Sequence, residues 1–276
     1  MDKLSTLVLA SLLQTAVFTG VQNRVVAGEA QPAQAPQASA LAEAIEAHGG
    51  LDTWRSYARM DYATKDFPLG ANAPFDFTQT TDLKNRRHVT RGEGFVSGKN
   101  EGGAWALPSV EALGLPPAFF ESGNFYFIAM PFVFADPGVV TRDIESLEFQ
   151  GKTYDRVAVS YPKGVGDTPE DDYILYIDSQ THRLKMIDFV PTSAEVNGDT
   201  PLNEIPRKAL VFDTWDRYDG LLIPSQATFY GWADGELQGE GNTYKIHDVK
   251  FTKTAPVADL FEAKHSRVVQ GAAHVE

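Results

Sequence analysis

Asp172-Tyr-Ile-Leu-Tyr-Ile-Asp178 and Arg183-Leu-Lys-Met-Ile-Asp-Phe-Val190 stand on either side of a short polar link, Ser179-Gln-Thr181. Two runs rich in β-branched and aromatic residues, separated by a tight turn, predict an antiparallel hairpin. The same grammar continues outward in both directions. Upstream, Tyr154-Asp-Arg-Val-Ala-Val-Ser-Tyr161 alternates apolar and polar residues. Downstream, Leu210-Val-Phe-Asp-Thr-Trp215 leads into Asp219-Gly220, a dipeptide suited to a two-residue hairpin turn. Residues 221–232 answer that strand, with Pro224 marking an edge or a bulge. Asp234-Gly235 supplies another turn, and Tyr244-Lys-Ile-His-Asp-Val-Lys-Phe251 closes the series. Toward the N-terminus, alternation resumes at Tyr57, Arg59, Asp61 and Ala63, at Phe75 and Phe77, and in shorter pieces at His88-Val89-Thr90 and Phe95-Val96. Glu101-Gly-Gly-Ala-Trp105-Ala-Leu107 reads as a turn and one more strand. Strands at short spacing imply an antiparallel meander, and a sheet of about ten strands curls rather than staying flat.

Helical signals are confined to two places. Ser39 is a candidate N-cap, followed by Leu41, Ile45 and His48 on one face, with Gly49-Gly50 as the stop. A second short turn follows and buries Trp54. Residues 109–134 break the strand pattern: a short helix at Ser109-Val-Glu-Ala-Leu113 precedes a segment carrying Phe119, Phe120, Phe125, Tyr126, Phe127, Phe132 and Phe134. Pro131 should end any helix there, and Asp136-Pro137-Gly138 is a turn. The fold class is therefore α+β, mainly antiparallel β: a curled, half-open barrel of about ten strands with helices on its concave face.

Composition narrows the functional classes. The chain has 276 residues, no cysteine and a formal net charge of −13. Disulfides, thiolate nucleophiles and cysteine-based zinc sites are excluded. An acidic surface repels phosphate backbones and anionic lipid headgroups, so nucleic acid is not expected as a partner. The local cluster Arg86, Arg87, His88 and Arg91 reads as the solvated face of a strand rather than an anion site. Lys3 and the apolar run over residues 4–20 suit an export signal, with cleavage after Ala30. The Pro-, Gln- and Ala-rich stretch 31–39 is expected to be flexible, residues 40–265 to form one domain, and residues 266–276 a flexible tail. The expected product is periplasmic or secreted, monomeric, and at most peripheral to a membrane.

Ile45-Glu-Ala-His48-Gly49-Gly50-Leu51-Asp-Thr-Trp54 resembles the opening helix and turn of the LolA-like proteins, periplasmic lipoprotein carriers and their relatives. The order of later motifs extends the resemblance over residues 40–262: Gly-Gly-Ala-Trp105, Phe125-Tyr126-Phe127, Pro131-Phe132, Asp136-Pro137-Gly138, Asp171-Asp172 with the strand that follows, and Gly220-Leu-Leu-Ile-Pro224. It points to an uncharacterised exported branch of that superfamily. The resemblance implies a half-open β-barrel covered by helices and an apolar ligand, a lipid or a lipoprotein acyl chain.

No catalytic motif stands beside this. There is no G-x-S-x-G elbow, H-E-x-x-H pair or P-loop. The six histidines show no ligand spacing, and the chain reads as a non-enzyme with no cofactor or metal. His48 reads as a helix C-terminal cap acting through its charge or ring N–H. Asp167, Glu170, Asp171 and Asp172 read as a solvated loop rather than a calcium site. The aromatic segment has two readings. It fills the concave side as ordinary core, or it lines a cavity in which a chain of about 14 methylenes would gain roughly 11 kcal/mol before association costs. On the second reading the ligand-binding residues are Trp105, Phe119, Phe120, Phe125, Tyr126, Phe127, Met130, Phe132 and Phe134. The first leaves an envelope interaction or structural protein with a filled core. A hydrolase is the remote alternative.

Overall fold

The structure is a computed structural model that describes residues 37–69, 73–166, 168 and 170–266. The expected export signal, residues 31–36 and nearly all of the expected tail lie outside these.

The chain opens with α1 (Ser39–Ala47) and α2 (Leu51–Ser56), then enters five strands: β1 (Arg59–Phe67), β2 (Phe75–Asp82), β3 (Arg87–Gly92), β4 (Phe95–Asn100) and β5 (Gly103–Leu107). Two helices follow, α3 (Val110–Leu113) and α4 (Pro117–Ile128), and a 3-10 turn over Phe132–Ala135. Four strands come next: β6 (Val140–Phe149), β7 (Lys152–Ser160), β8 (Tyr173–Asp178) and β9 (Leu184–Phe189). After the small helix α5 (Ala194–Asn197) the sheet is completed by β10 (Lys208–Tyr218), β11 (Leu221–Ala233) and β12 (Glu236–Thr252). Among the described residues, twelve strands join one antiparallel sheet in the order β5-β4-β3-β2-β1-β12-β11-β10-β9-β8-β7-β6. The two terminal strands, β5 and β6, are not paired with each other, so the curled sheet remains a half-open barrel.

Twelve strands replace the expected ten chiefly because β6 carries no apolar alternation. Its residues are exposed or half-buried throughout, and Arg142, Asp143, Glu145 and Glu148 stud it with charge. A marginal strand with only one neighbour needs no apolar face, and its charges guard it against pairing with other chains. The turn residues behave as read. Asp219-Gly220 and Asp234-Gly235 both take left-handed backbone, at φ 49° and 92° and at 54° and 77°, the geometry of a tight hairpin turn. Pro224 lies opposite Trp215 beside two register shifts. It therefore marks a bulge in an interior strand and not an edge.

The principal core lies on the concave side. It joins α1, α2, α4 and the Phe132–Ala135 turn to the inward residues of most strands. Ser39 does not cap α1; it is the helix's first residue, and its N–H and hydroxyl both donate to Asp143 of β6 at 2.8 Å. The edge strand thus supplies the acceptor for the free N–H groups of the helix. Ala38 is buried, so ordered chain begins ahead of residue 40, the expected boundary. His48 occupies the C-cap position, but its role differs from the one expected. Its ring is wholly buried, and Nε2 accepts the Leu184 N–H at 3.1 Å while its carbonyl accepts the Leu222 N–H at 2.8 Å. Burial lowers its pKa to about 3, so it is a neutral tie between α1, β9 and β11, not a charged cap.

Candidate functional site

Helix α4 decides what the concave side contains, because its two flanks meet different surroundings. Pro117 opens it, where a missing N–H costs nothing. It ends at Ile128, ahead of Pro131 as expected. The flank facing β1–β4 is packed solid. Phe120 is 2 % exposed and meets the rings of Phe67, Phe75, Phe77 and Phe95 at centroid distances of 5.3–6.1 Å.

Beside Phe120 on that flank lies Glu121, fully buried. Its carboxylate accepts from Gln79 Nε2 and Thr90 Oγ1, both at 2.9 Å, and from the Ser97 hydroxyl. Gln79 in turn accepts the Tyr62 hydroxyl. These partners come from β1, β2, β3 and β4, so one carboxyl stitches the helix to four strands. Burial raises its pKa to about 7, against the pull of the three donors.

The opposite flank of α4 is the floor of a cleft of about 970 Å³. That volume sits at the upper end of the roughly 300–1,000 Å³ usual for small-molecule sites. Ala118, Phe119, Ser122, Gly123 and Tyr126 form the floor. Tyr173 of β8, Phe189 of β9 and Phe229 of β11 form the far wall, and α5 borders one side. Phe127 bridges floor and wall, with its ring 5.3 Å from Phe189 and 5.5 Å from Phe229. The hydroxyls of Tyr126 and Tyr161 are hydrogen-bonded to each other. Gly123 stands mid-helix, where a Cβ would meet no atom within 4 Å. Glycine there weakens the helix by roughly 0.5–1 kcal/mol relative to alanine, and leaves a notch in the floor.

Polar groups also line the cleft, among them Arg86, Lys99, Asp136, Asp171, Glu195 and Lys208. Arg86 lies on the β2–β3 turn in left-handed backbone, φ 53°. Its guanidinium covers the Phe125 ring at 4.8 Å and its Nη2 meets Asp136 at 2.5 Å, while Nη1 is buried without a hydrogen-bond acceptor among the described residues. The turn is held from behind by Asp82, which is wholly buried and accepts from the backbone N–H of Lys84 and Asn85. Burial raises the pKa of Asp136, and Arg86 works against that shift.

The nine residues anticipated as ligand-binding are divided among three environments. Phe119, Phe125, Tyr126 and Phe127 line the cleft. Phe120, Met130, Phe132 and Phe134 are at most 2 % exposed and belong to the solid core, where Phe132 stacks on Trp54 at 4.8 Å. Trp105 is elsewhere: it packs with Val89, Val96 and Phe261 in a separate cluster, and its indole N–H donates to the Phe261 carbonyl at 3.2 Å. The cationic cluster is also dispersed. Arg87 pairs with buried Asp82, His88 is buried beside Phe125, and Arg86 reaches the cleft, so it is no single solvated face. Asp167 lies outside the described residues, and the rest of the acidic loop is not simply solvated. Asp171 is buried and accepts from Thr168 and Thr192, and Asp172 pairs with Arg207 at 2.8 Å. Tyr173, Phe189 and Phe229 stand out in sequence only as strand residues.

Comparison with solved structures bears on the architecture. A LolA superfamily protein from Nitrosomonas europaea superposes with a TM-score of 0.50, covering 84% of this chain and 100% of that chain at 11% identity. The fold is LolA-like. A putative outer membrane lipoprotein-sorting protein domain from Vibrio parahaemolyticus is similar at a TM-score of 0.41 and 13% identity, over 80% of this chain and 100% of that one. A DUF1329 family protein from Desulfovibrio piger is similar at 0.40 and 9%, over 82% and 97%. At those scores the latter two add no argument. No family model matches the chain, and comparison with curated proteins finds no match.

Proposed function

We propose that this LolA-like chain is an exported, non-catalytic binding protein that takes an apolar ligand, a lipid or a lipoprotein acyl chain, into the cleft over α4. The observation that carries this reading is the cleft itself. About 970 Å³ stands open on the concave side, between an aromatic helix floor and an aromatic strand wall, in a protein long enough to have filled it. Each methylene moved from water into such surroundings gains about 0.8 kcal/mol, and the rings that bound it are rigid and cost little entropy to hold in place. On this reading the protein works as a monomer in the periplasm or outside the cell and meets membranes only peripherally, handing over its ligand there.

The test is extraction of natively purified protein followed by mass spectrometry, together with titration of a fluorescent fatty acid. Recovery of a stoichiometric lipid, or saturable uptake of the probe that a lipid mixture displaces, is the expected result. An extract free of apolar ligand, with no probe uptake, would count against the binding role.

A further inference from the structure

We infer that the ligand carries an anionic head, a carboxylate or phosphate, and that Arg86 receives it while the apolar tail lies over Gly123 toward Phe189 and Phe229. The inference rests on the cleft being a binding site and adds the polarity and orientation of what it holds.

Three observations converge on Arg86. It lines the cleft with about a third of its side chain exposed, and its Nη1 is buried with no acceptor among the described residues. Buried donors almost always find a partner, so each exception asks for one. The guanidinium is also held in place: Phe125 lies beneath it at 4.8 Å and Asp136 holds Nη2 at 2.5 Å. A guanidinium fixed on two sides keeps the fork that matches a carboxylate or phosphate and loses little freedom on binding one. Finally, the turn beneath it is rigid. Asp82 fastens residues 84–87 by accepting from two backbone N–H groups and from the Asn85 and Arg87 side chains. Arg86 adopts left-handed backbone there, which glycine or asparagine would take more easily.

The overall charge of −13 opposes an anion at long range. At physiological salt that field is screened over about 8 Å, whereas a partly desolvated contact with a guanidinium is not. Asp136, paired with the guanidinium, is the nearest competitor, and Asp171, Glu195 and Glu240 also line the cleft. Asp136 occupies one edge of the fork and leaves the other, so a ligand head would share the guanidinium with it. The other cations of the lining, Lys99 and Lys208, come from β4 and β10, on the two sides of the sheet. Arg86 is distinguished from them by its stacking on Phe125 and its unmet donor.

Four probes of the full chain separate head from tail: palmitate, hexadecanol, hexadecyl phosphate and inorganic phosphate, each titrated at pH 8 in competition with a fluorescent probe or by calorimetry. Palmitate and hexadecyl phosphate should bind at least tenfold tighter than hexadecanol, and inorganic phosphate alone should bind far more weakly than either. Arg86→Gln should erase that gap while hexadecanol affinity stays within twofold, with thermal unfolding confirming that the variant is folded. Asp136→Asn, which removes the competing charge while its amide oxygen can still accept from Nη2, should widen the gap. Equal binding of acid and alcohol by the parent chain would overturn the head assignment and leave the cleft reading intact. A gap that survives Arg86→Gln, or that closes in Asp136→Asn, would also overturn it. Binding of none of the three long-chain probes would remove the cleft reading itself, and tight binding of inorganic phosphate would mark a simple anion site instead.

Discussion

The two flanks of α4 use the same vocabulary of side chains to opposite ends. Toward β1–β4 the helix presents Phe120 and Glu121 to a wall that packs four phenylalanine rings around the first and gives the carboxyl of the second three donors. Toward β8–β11 it presents Phe119 and Gly123 to the cleft, while Tyr126 and Phe127 reach across to Tyr173, Phe189 and Phe229. Aromatic density alone therefore does not distinguish filling from lining. The difference lies in what stands opposite: close-packed rings on one side, and on the other a wall that Tyr126 and Phe127 touch while a cleft stays open beside them. Close packing makes the first flank responsible for stability and leaves the second free to serve recognition.

Substitutions and pH should separate the flanks, and the largest effect belongs to the packed side. Phe120→Ala should cost about 3–5 kcal/mol in urea unfolding, with probe affinity per folded molecule nearly unchanged. A loss below about 1 kcal/mol would mean that the inner flank is not the solid one. Next comes Glu121. Its folded-state pKa is raised from 4.5 to about 7. The folded state thus holds the proton more tightly than the unfolded one, so the group's contribution is full below pH 4.5 and is lost as pH climbs through 7. The loss is on the order of 3 kcal/mol. It should appear as the difference between the stability profiles of the parent and Glu121→Gln, because His48 titrates in the opposite sense. With its pKa lowered to about 3, His48 withdraws its contribution as pH falls below 6.5.

The open flank should respond in the reverse manner. Gly123→Trp should abolish or weaken fluorescent fatty acid uptake at least tenfold, about 1.4 kcal/mol, while denaturant stability changes by about 1 kcal/mol or less, since the new ring enters the cleft. Retained uptake would place the ligand somewhere other than over this helix. The smallest effect is Gly123→Ala. It should stabilise the fold by about 0.5–1 kcal/mol and leave uptake intact, which scanning calorimetry on both variants would register.

Much of this architecture was legible before any coordinates. The hairpins around Ser179, Asp219-Gly220 and Asp234-Gly235 followed from turn chemistry and alternation, because those are local. β6 escaped because an edge strand bears no apolar stripe. The LolA-like opening motif pointed to the right fold, although the structure gives His48 a buried, neutral part in it. Within residues 109–134 the aromatic positions were visible, but their partition was not. Phe119 and Phe120 are adjacent in sequence, and a helix turn sends one to the cleft and the other to the core. Trp105 was misleading for a related reason: Phe261, 156 residues away, claims it from the other end of the chain. Arg86 read as one of a run of surface charges, and only the reversal of the β2–β3 turn brings it under the curl of the sheet.

Because β5 and β6 end the sheet without meeting, the barrel has a seam. A cylinder closed by hydrogen bonds has a fixed girth, and widening it would break a full ladder. A seamed one can splay its margins while every strand keeps its neighbours, at a cost spread over many small changes in twist. On the proposed reading, ligands of different bulk could then share one wall, with adaptation coming from the curvature of the shell and not from repacking its aromatic interior.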